Sequence, residues 1–173
     1  MFRIMLVYGA IAGVVIIGIM LTGMMLSDGS GSQLQGYLTM VIVLSLIFVG
    51  IKRYRDKDLG GVIKFLPAFG LGTGIAAVAA VFYVISWETS LHLTDFAWVD
   101  AYVESTIAGY EAKGFTGEEL AQKVTKLEEM MAGYSNPLLR IPMTFVEIFP
   151  VGLLVALISA ALLRNPKLLP AKA

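Results

Sequence analysis

The amino-acid sequence predicts an all-α fold, an integral membrane four-helix bundle with an extracytoplasmic amphipathic helical hairpin between its third and fourth spans. Of the 173 residues, 57% are hydrophobic and only 15% are charged, whereas a soluble domain is about a quarter charged. Four apolar runs have the roughly 20 residues needed to cross a bilayer, and basic residues gather at one end of these runs. Cysteine is absent, which excludes disulfides and thiol chemistry.

The first two spans are predicted at about residues 4–26 and 34–51. The first run is longer than the h-region of a signal peptide, and a polar turn at residues 27–32 follows it in place of a cleavage site. We therefore interpret it as a retained span. The second run is expected to end at a basic block that begins with Lys52, because charged side chains enter hydrocarbon only at a cost.

The third and fourth spans are predicted at about residues 65–87 and 141–163. The pair Gly60-Gly61 allows a turn before the third span. Near the far end of that span, Tyr83 and Trp87 are the residue types that form an aromatic belt at a membrane interface. We expect both side chains to lie in the outer belt.

Residues 88–140 have the pattern of two short amphipathic helices, and residues 1–173 otherwise form a single membrane domain. Thr116 and Glu119 have the spacing of a capping box, which predicts the start of the second helix there. We expect the two apolar stripes to be buried against each other, the end of the bundle or the membrane surface. The stripes are Phe96, Val99, Val103, Ile107 and Tyr110 in the first helix and Leu120, Val124, Leu127 and Met131 in the second.

The distribution of charge predicts the orientation. The termini and the loop between spans two and three hold nine basic residues, and the opposite side holds four. By the positive-inside rule, both termini are expected in the cytoplasm and the hairpin outside. The nine are Arg3, Lys52, Arg53, Arg55, Lys57, Lys64, Arg164, Lys167 and Lys172, and the four are Lys113, Lys123, Lys126 and Arg140.

Two stretches carry a resemblance to a known family. The stretch GIKRYRDKDLGGVIKF, from Gly50 to Phe65, resembles domain-of-unknown-function family 4199, a group of bacterial membrane proteins. The stretch NPLLRIPMTFVEIFPVG, from Asn136 to Gly152, is similar to the last span of that family. The resemblance implies a four-span fold and the bacterial inner membrane, and it supplies no catalytic residues.

Glu147 is the only acid inside a predicted span, and acids within spans usually face protein or water. Pro150, in the same turn, frees a backbone carbonyl, which is a geometry found at transporter sites. Thr22, Thr39 and Tyr83 lie at a similar depth, so the five residues form a candidate ligand or coupling cluster. Alternatively, Glu147 hydrogen-bonds a neighbouring helix or reaches towards an arginine two turns earlier, and the hydroxyls only join helices.

Glu88 and His92 lie four residues apart and therefore on one helical face. We interpret them as an interfacial hydrogen-bonded pair that can respond to pH. A carboxylate-rich metal site with Asp95 is conceivable, but a single histidine excludes a multi-histidine centre, and we expect no metal and no cofactor.

The basic block is expected to set the topology and to contact anionic lipid headgroups through Lys52, Arg53, Arg55 and Lys57.

Small residues four apart predict faces where helices pack closely, and any such face left over would be a dimer or partner face. These residues are Gly9 and Gly13 in span one, Gly72, Ala76 and Ala80 in span three, and Gly152, Ala156 and Ala160 in span four.

The sequence leaves two main hypotheses for function. One is a non-enzymatic accessory or assembly protein, which docks a membrane-protein partner or further copies of itself through the hairpin and the small-residue faces. The other is a small oligomeric transporter or channel-like protein with Glu147 as its coupling group. A membrane enzyme using Glu147 or Glu88 is a third possibility, although no familiar catalytic motif is present. Zero net charge argues against nucleic acid as a partner, and membrane lipids are expected partners.

Overall fold

The computed structural model describes residues 1–26 and 33–171, which form seven helices and contain no strand. The turn predicted between spans one and two lies outside the described residues. The all-α prediction is confirmed. The helices are α1 Phe2–Leu26, α2 Gln33–Leu44, α3 Leu46–Asp58, α4 Phe65–Leu93, α5 Ala97–Ala112, α6 Gly117–Tyr134 and α7 Pro137–Leu163.

Among the described residues, four helical segments are long and apolar enough to cross a membrane, as the sequence predicts. They are Phe2–Ile19, Gly36–Asp58, Phe65–Leu93 and Pro137–Leu163. The second combines α2 and α3, which are separated only at Ser45. The Ser45 hydroxyl donates to the carbonyl of Ile42 at 2.6 Å, a local bond of the kind that bends helices.

The centre of the bundle is α4, which packs most extensively against α1 and α7. Small residues make both contacts close. A Cβ added to Gly9 would lie 2.5 Å from the Cβ of Val78, and one added to Gly72 would lie 2.8 Å from the Cβ of Ala156. The eight small residues named above are all buried within this single chain. No partner face is therefore left among them.

The spans differ in three respects from the sequence-based expectations, the first being that α4 extends to Leu93 and α7 already begins at Pro137. Helix α3 continues through the basic block to Asp58 rather than stopping at Ile51, because a helix can carry its charged last turns beyond the hydrocarbon. Tyr83 and Trp87 do not form an interfacial belt, since they are only 2% and 4% exposed. Both point into the bundle, where their ring area is buried.

Helices α5 and α6 pack against each other and form the hairpin, in which Leu127 is the only buried residue of the two helices. The chain enters the hairpin through Asp95 and Phe96, which have φ of 48° and 60°. The turn between the helices contains Gly114, with φ of 86°. The predicted capping box is wrong, because the Thr116 side chain makes no capping hydrogen bond although α6 does begin at Gly117.

Candidate functional site

Glu147 lies on the outer surface of the bundle, where its side chain is exposed. Helix α7 begins at Pro137, after the side chain of Asn136 accepts a hydrogen bond from the Leu138 amide at 3.0 Å. Ten residues separate Pro137 from Glu147, so the acid lies roughly 15 Å along the helix at ~1.5 Å per residue. It therefore lies well inside the apolar length of α7, with 16 further helical residues after it.

No lysine or arginine forms an ion pair with Glu147 in the described part of the chain, where three ion pairs occur. Arg140 lies seven residues earlier and hence on the same side of α7. Its guanidinium is instead occupied by Glu88. The structure therefore does not form the Arg140–Glu147 contact that the sequence left open as an alternative.

Two tyrosines of other elements interact electrostatically with Glu147. They are Tyr83, buried in α4, and Tyr134, half-buried at the end of α6. Thr39 is half-buried on α2, which packs against α7. Thr22 is exposed, and its hydroxyl donates to the Gly18 carbonyl of its own helix at 2.7 Å. The structure thus brings Tyr83 close to Glu147 and gives Thr22 a local role.

Pro150 is exposed on α7 and has no N–H. The carbonyl of Val146 therefore cannot receive its α-helical hydrogen bond from residue 150. Val146 is itself 63% exposed. An acceptor carbonyl and the Glu147 carboxylate consequently stand on consecutive exposed residues of α7. A neighbouring groove of about 360 Å³ between α4 and α7 is lined by apolar residues only and does not include Glu147.

Arg140 and Glu88 form an ion pair at the hairpin end of the bundle. The Nε and Nη2 atoms of Arg140 each donate to a Glu88 carboxylate oxygen at 2.7 Å. Nη1 donates to the Tyr134 carbonyl at 3.0 Å, and the guanidinium lies 5.2 Å from the centre of the Phe96 ring. One side chain, only 2% exposed, thus contacts span α4 and both ends of the hairpin.

A second contact joins the hairpin to α4. The indole Nε1 of Trp87 donates to the hydroxyl oxygen of Tyr134 at 2.7 Å. The rings of Trp87 and Trp98 meet edge to face with centres 5.1 Å apart. Burial raises the pKa of the Tyr134 phenol above its ordinary value of 10.0, although the Trp87 hydrogen bond and Arg140 oppose this. Tyr134 therefore remains a neutral hydroxyl at physiological pH.

The Glu88–His92 pair has a different geometry from a carboxylate–imidazole bond. His92 Nδ1 lies 2.8 Å from the backbone carbonyl of Glu88, and the Glu88 carboxylate bonds Arg140. His92 and Asp95 are exposed. In the ranges that the structure describes, no group of three or more histidine or acidic side chains is placed to hold a metal ion.

The four residues of the basic block separate into two kinds. Arg53 and Lys57 are exposed, and half-buried Lys52 forms an ion pair with Asp56. Arg55 is fully buried and bonds backbone carbonyls of the C-terminal segment. Arg55 is therefore enclosed by the protein and, unlike Arg53 and Lys57, offers no exposed charge.

The Arg140–Glu88 pair and the aromatic cluster beside it were not predicted from the sequence. Both residues stand near the hairpin ends of two long apolar helices that a hairpin connects, so their opposite charges could have indicated the pairing. Tyr134 and Trp98 carried no comparable signal, because an aromatic residue in an amphipathic segment fits many environments.

Comparison with known proteins places the chain in a family. Residues 7–165 match the family described as "Protein of unknown function (DUF4199)". No curated protein and no solved structure matches the chain. Because the match covers most of its length, the chain belongs to this family, and the resemblance of residues 50–65 and 136–152 is confirmed.

Proposed function

We propose that this member of the DUF4199 family is a non-enzymatic accessory or assembly protein of the bacterial inner membrane, which binds a membrane-protein partner or further copies of itself. The observation that supports this most directly is the exposed Glu147 on the outer face of α7. The acid belongs to a helix that is long and apolar enough to span the bilayer.

An acid facing lipid is energetically unfavourable. An ionised side chain near the middle of a bilayer costs roughly 2.5–3.5 kcal/mol on insertion scales. A partner helix that offers a hydrogen-bond donor or a basic group removes this cost, and interhelical hydrogen bonds in membranes contribute about 0.6–2 kcal/mol. The exposed position of Glu147 therefore favours a helix–helix contact on this side of α7.

The small-residue stripes do not offer a competing partner face. Every member of the three stripes is buried between α1, α4 and α7. The proposed docking face is therefore the side of α7 that carries Glu147, with Met143 and Leu154 exposed one turn before it and two turns after it. The hairpin, which is mostly exposed, extends this surface beyond the membrane.

Substitution of Glu147 tests the proposal. Glu147→Leu removes the charge and suits a lipid-facing position, so the protein should fold and insert as well as the parent. We expect the affinity of this variant for the native partner, or for further copies of itself, to fall by about tenfold in mild detergent. That change corresponds to a loss of about 1.4 kcal/mol in binding free energy. The matched control is Val14→Leu, an exposed position on α1 outside the groove between α4 and α7. Retention of the partner by Glu147→Leu at the parental level would contradict the proposal.

We also propose that both termini face the cytoplasm and that the hairpin is extracytoplasmic, because the termini and the loop between spans two and three hold nine of the thirteen basic residues. The parent protein has no cysteine, so a single introduced cysteine reports which side of the membrane its position faces. In intact cells, an impermeant thiol reagent should label Lys113→Cys and leave Lys57→Cys unlabelled. Labelling of Lys57→Cys from outside would reverse the orientation.

The second candidate is an oligomeric transporter or channel-like protein, favoured by the Val146 carbonyl beside Glu147, which loses its α-helical donor at Pro150. Two adjacent oxygen acceptors of this kind suit a cation or a proton. In reconstituted vesicles this candidate predicts a cation or proton flux that Glu147→Gln abolishes while partner binding persists. The accessory role predicts no flux from the parent protein.

A further inference from the structure

Arg55 binds the C-terminal segment, residues 164–171, at the end of the bundle opposite the hairpin. Its Nη1 atom donates to the Leu168 carbonyl at 3.0 Å, and Nη2 donates to the Leu169 carbonyl at 2.5 Å. Its Nε atom donates to Asp56 at 2.6 Å. The side chain is fully buried, so these bonds replace the water that an arginine otherwise requires.

These bonds fold the C-terminal segment back across the bundle. A Cβ placed on Gly61, in the loop between α3 and α4, would lie 3.5 Å from the Cβ of Ala171. The end of α3, this loop and the C-terminal segment therefore meet at one place. Each contributes exposed basic side chains, and we call the set the basic surface. It consists of Arg53, Lys57, Lys64, Arg164 and Lys167.

Few acids oppose the basic surface in the described part of these three segments. Asp56 is occupied by Lys52 and Arg55. Asp58 is exposed and carries a charge that can offset one of the five cations. The surface thus keeps an excess of positive charge at the end of a membrane bundle, within reach of lipid phosphates.

Apolar side chains border the basic surface. Leu59, Val62 and Leu169 are 41%, 59% and 53% exposed. Exposed apolar side chains beside lysines are suited to the boundary between the headgroup region and the acyl-chain region of a bilayer. A free phosphate ion in water would gain nothing from these apolar neighbours. The combination of charge and apolar border therefore fits a lipid rather than a soluble anion.

We infer that the basic surface binds anionic phospholipid headgroups and that buried Arg55 is a positioning residue, which assembles the surface by holding the C-terminal segment. This inference is independent of the Glu147 docking face, which lies along the span. Arg55 touches no headgroup itself. Its role is to bring Arg164 and Lys167 beside Lys57 and Lys64.

Lipid titration of the purified full chain, followed by native mass spectrometry, tests the inference. The probes are phosphatidylglycerol, which is anionic, and phosphatidylcholine, which is zwitterionic. The double variant Lys64→Gln/Lys167→Gln should weaken phosphatidylglycerol binding about 25-fold, at roughly fivefold for each basic residue near the surface. Phosphatidylcholine binding should not change. The matched control, Lys113→Gln/Lys126→Gln, removes the same charge from exposed positions in the hairpin region and should change neither affinity.

The variant Arg55→Gln tests positioning. It should weaken phosphatidylglycerol binding about fivefold or more and reduce the dependence of that binding on salt, because fewer cations act together. Arg55→Lys keeps the charge but loses the fork of donors, so it should restore binding only in part. If Arg55→Gln does not fold, the lysine double variant still decides whether the surface binds lipid.

Two results would overturn the inference. One is equal loss of phosphatidylglycerol affinity in the two double variants, which would make the effect one of net charge alone. The other is displacement of the lipid by inorganic phosphate but not by sulfate at equal ionic strength, which would indicate a free phosphate site. Failure of the Glu147 experiments would leave the lipid result unaffected.

Discussion

The guanidinium of Arg140 holds the carboxylate of Glu88 through two hydrogen bonds of 2.7 Å, although 52 residues separate them. This pair joins the hairpin ends of α7 and α4. The same guanidinium bonds the last turn of α6 through the Tyr134 carbonyl and lies over the ring of Phe96. One buried arginine therefore joins α4 and α7 to both ends of the hairpin.

Removing one partner of this ion pair should lower the free energy of unfolding strongly. Removing both charges together should lower it less than the two single changes combined. Arg140→Gln leaves Glu88 without its partner in a largely buried site, so we expect a loss of about 3–5 kcal/mol in unfolding free energy. Glu88→Gln should have a comparable effect. The double variant should be more stable than the sum of the single effects predicts, as equilibrium unfolding in detergent and lipid micelles would measure.

The exposed Arg164→Gln serves as the control for that series, with an expected change within about 0.5 kcal/mol. If the losses of unfolding free energy in Arg140→Gln and Glu88→Gln simply add up in the double variant, a direct pairing of the two side chains is contradicted.

The bond from Trp87 to Tyr134 should hold the hairpin locally. Trp87→Phe keeps most of the aromatic area and removes the donor, so we expect a loss of about 1 kcal/mol. Tyr134→Phe should cost a similar amount, and the two effects should not add. Hydrogen exchange of amides in α6 should accelerate in both variants while that of α1 stays unchanged. Equal acceleration in α1 would show that the bond supports the whole bundle instead.

Two glycines of α4 should respond oppositely to alanine. A Cβ on Gly72 would meet the Cβ of Ala156 at 2.8 Å, so Gly72→Ala should destabilise the bundle by about 1–3 kcal/mol through overpacking. A Cβ on Gly70 meets nothing within 4 Å. Gly70→Ala should therefore stabilise the helix by roughly 0.5–1 kcal/mol. The same sign for both substitutions in thermal unfolding would be inconsistent with the α4–α7 contact.

Two helix starts that look alike in sequence should also differ. The Asn136 side chain caps α7 through the Leu138 amide at 3.0 Å, so Asn136→Ala should cost about 1 kcal/mol. The Thr116 side chain makes no such bond, and Thr116→Ala should change the unfolding free energy by less than about 0.5 kcal/mol. A larger loss at Thr116 than at Asn136 would show that Thr116 caps α6 after all.

Hydropathy was enough to predict the number of spans and the hairpin between α4 and α7. Length and apolar content decide whether a helix can cross a membrane, and both are properties of a local stretch of sequence. The extra turns of α4 and α7 were not predicted. These turns contain Glu88 and Arg140, whose charges stopped the predicted spans and which pair with each other in the structure.

The rotation of each helix about its axis could not be predicted. Helix α4 is apolar on nearly every side, so its sequence does not indicate which face is buried. Tyr83 and Trp87 were therefore placed at an interface, although both point into the bundle. For Glu147 the sequence predicted a position inside the last span but not the direction of the side chain, because its exposure depends on how α7 packs against its neighbours.

Site-specific photo-cross-linking tests the proposed docking face most directly. A photoreactive benzophenone amino acid is placed at Met143 or Leu154, which share the exposed face of α7 with Glu147, and at Val14 on α1 as the control. We expect a discrete protein adduct from Met143 and Leu154, its loss when Glu147→Leu is added, and no adduct from Val14. Cross-links to lipid alone from all three positions would contradict a partner at this face.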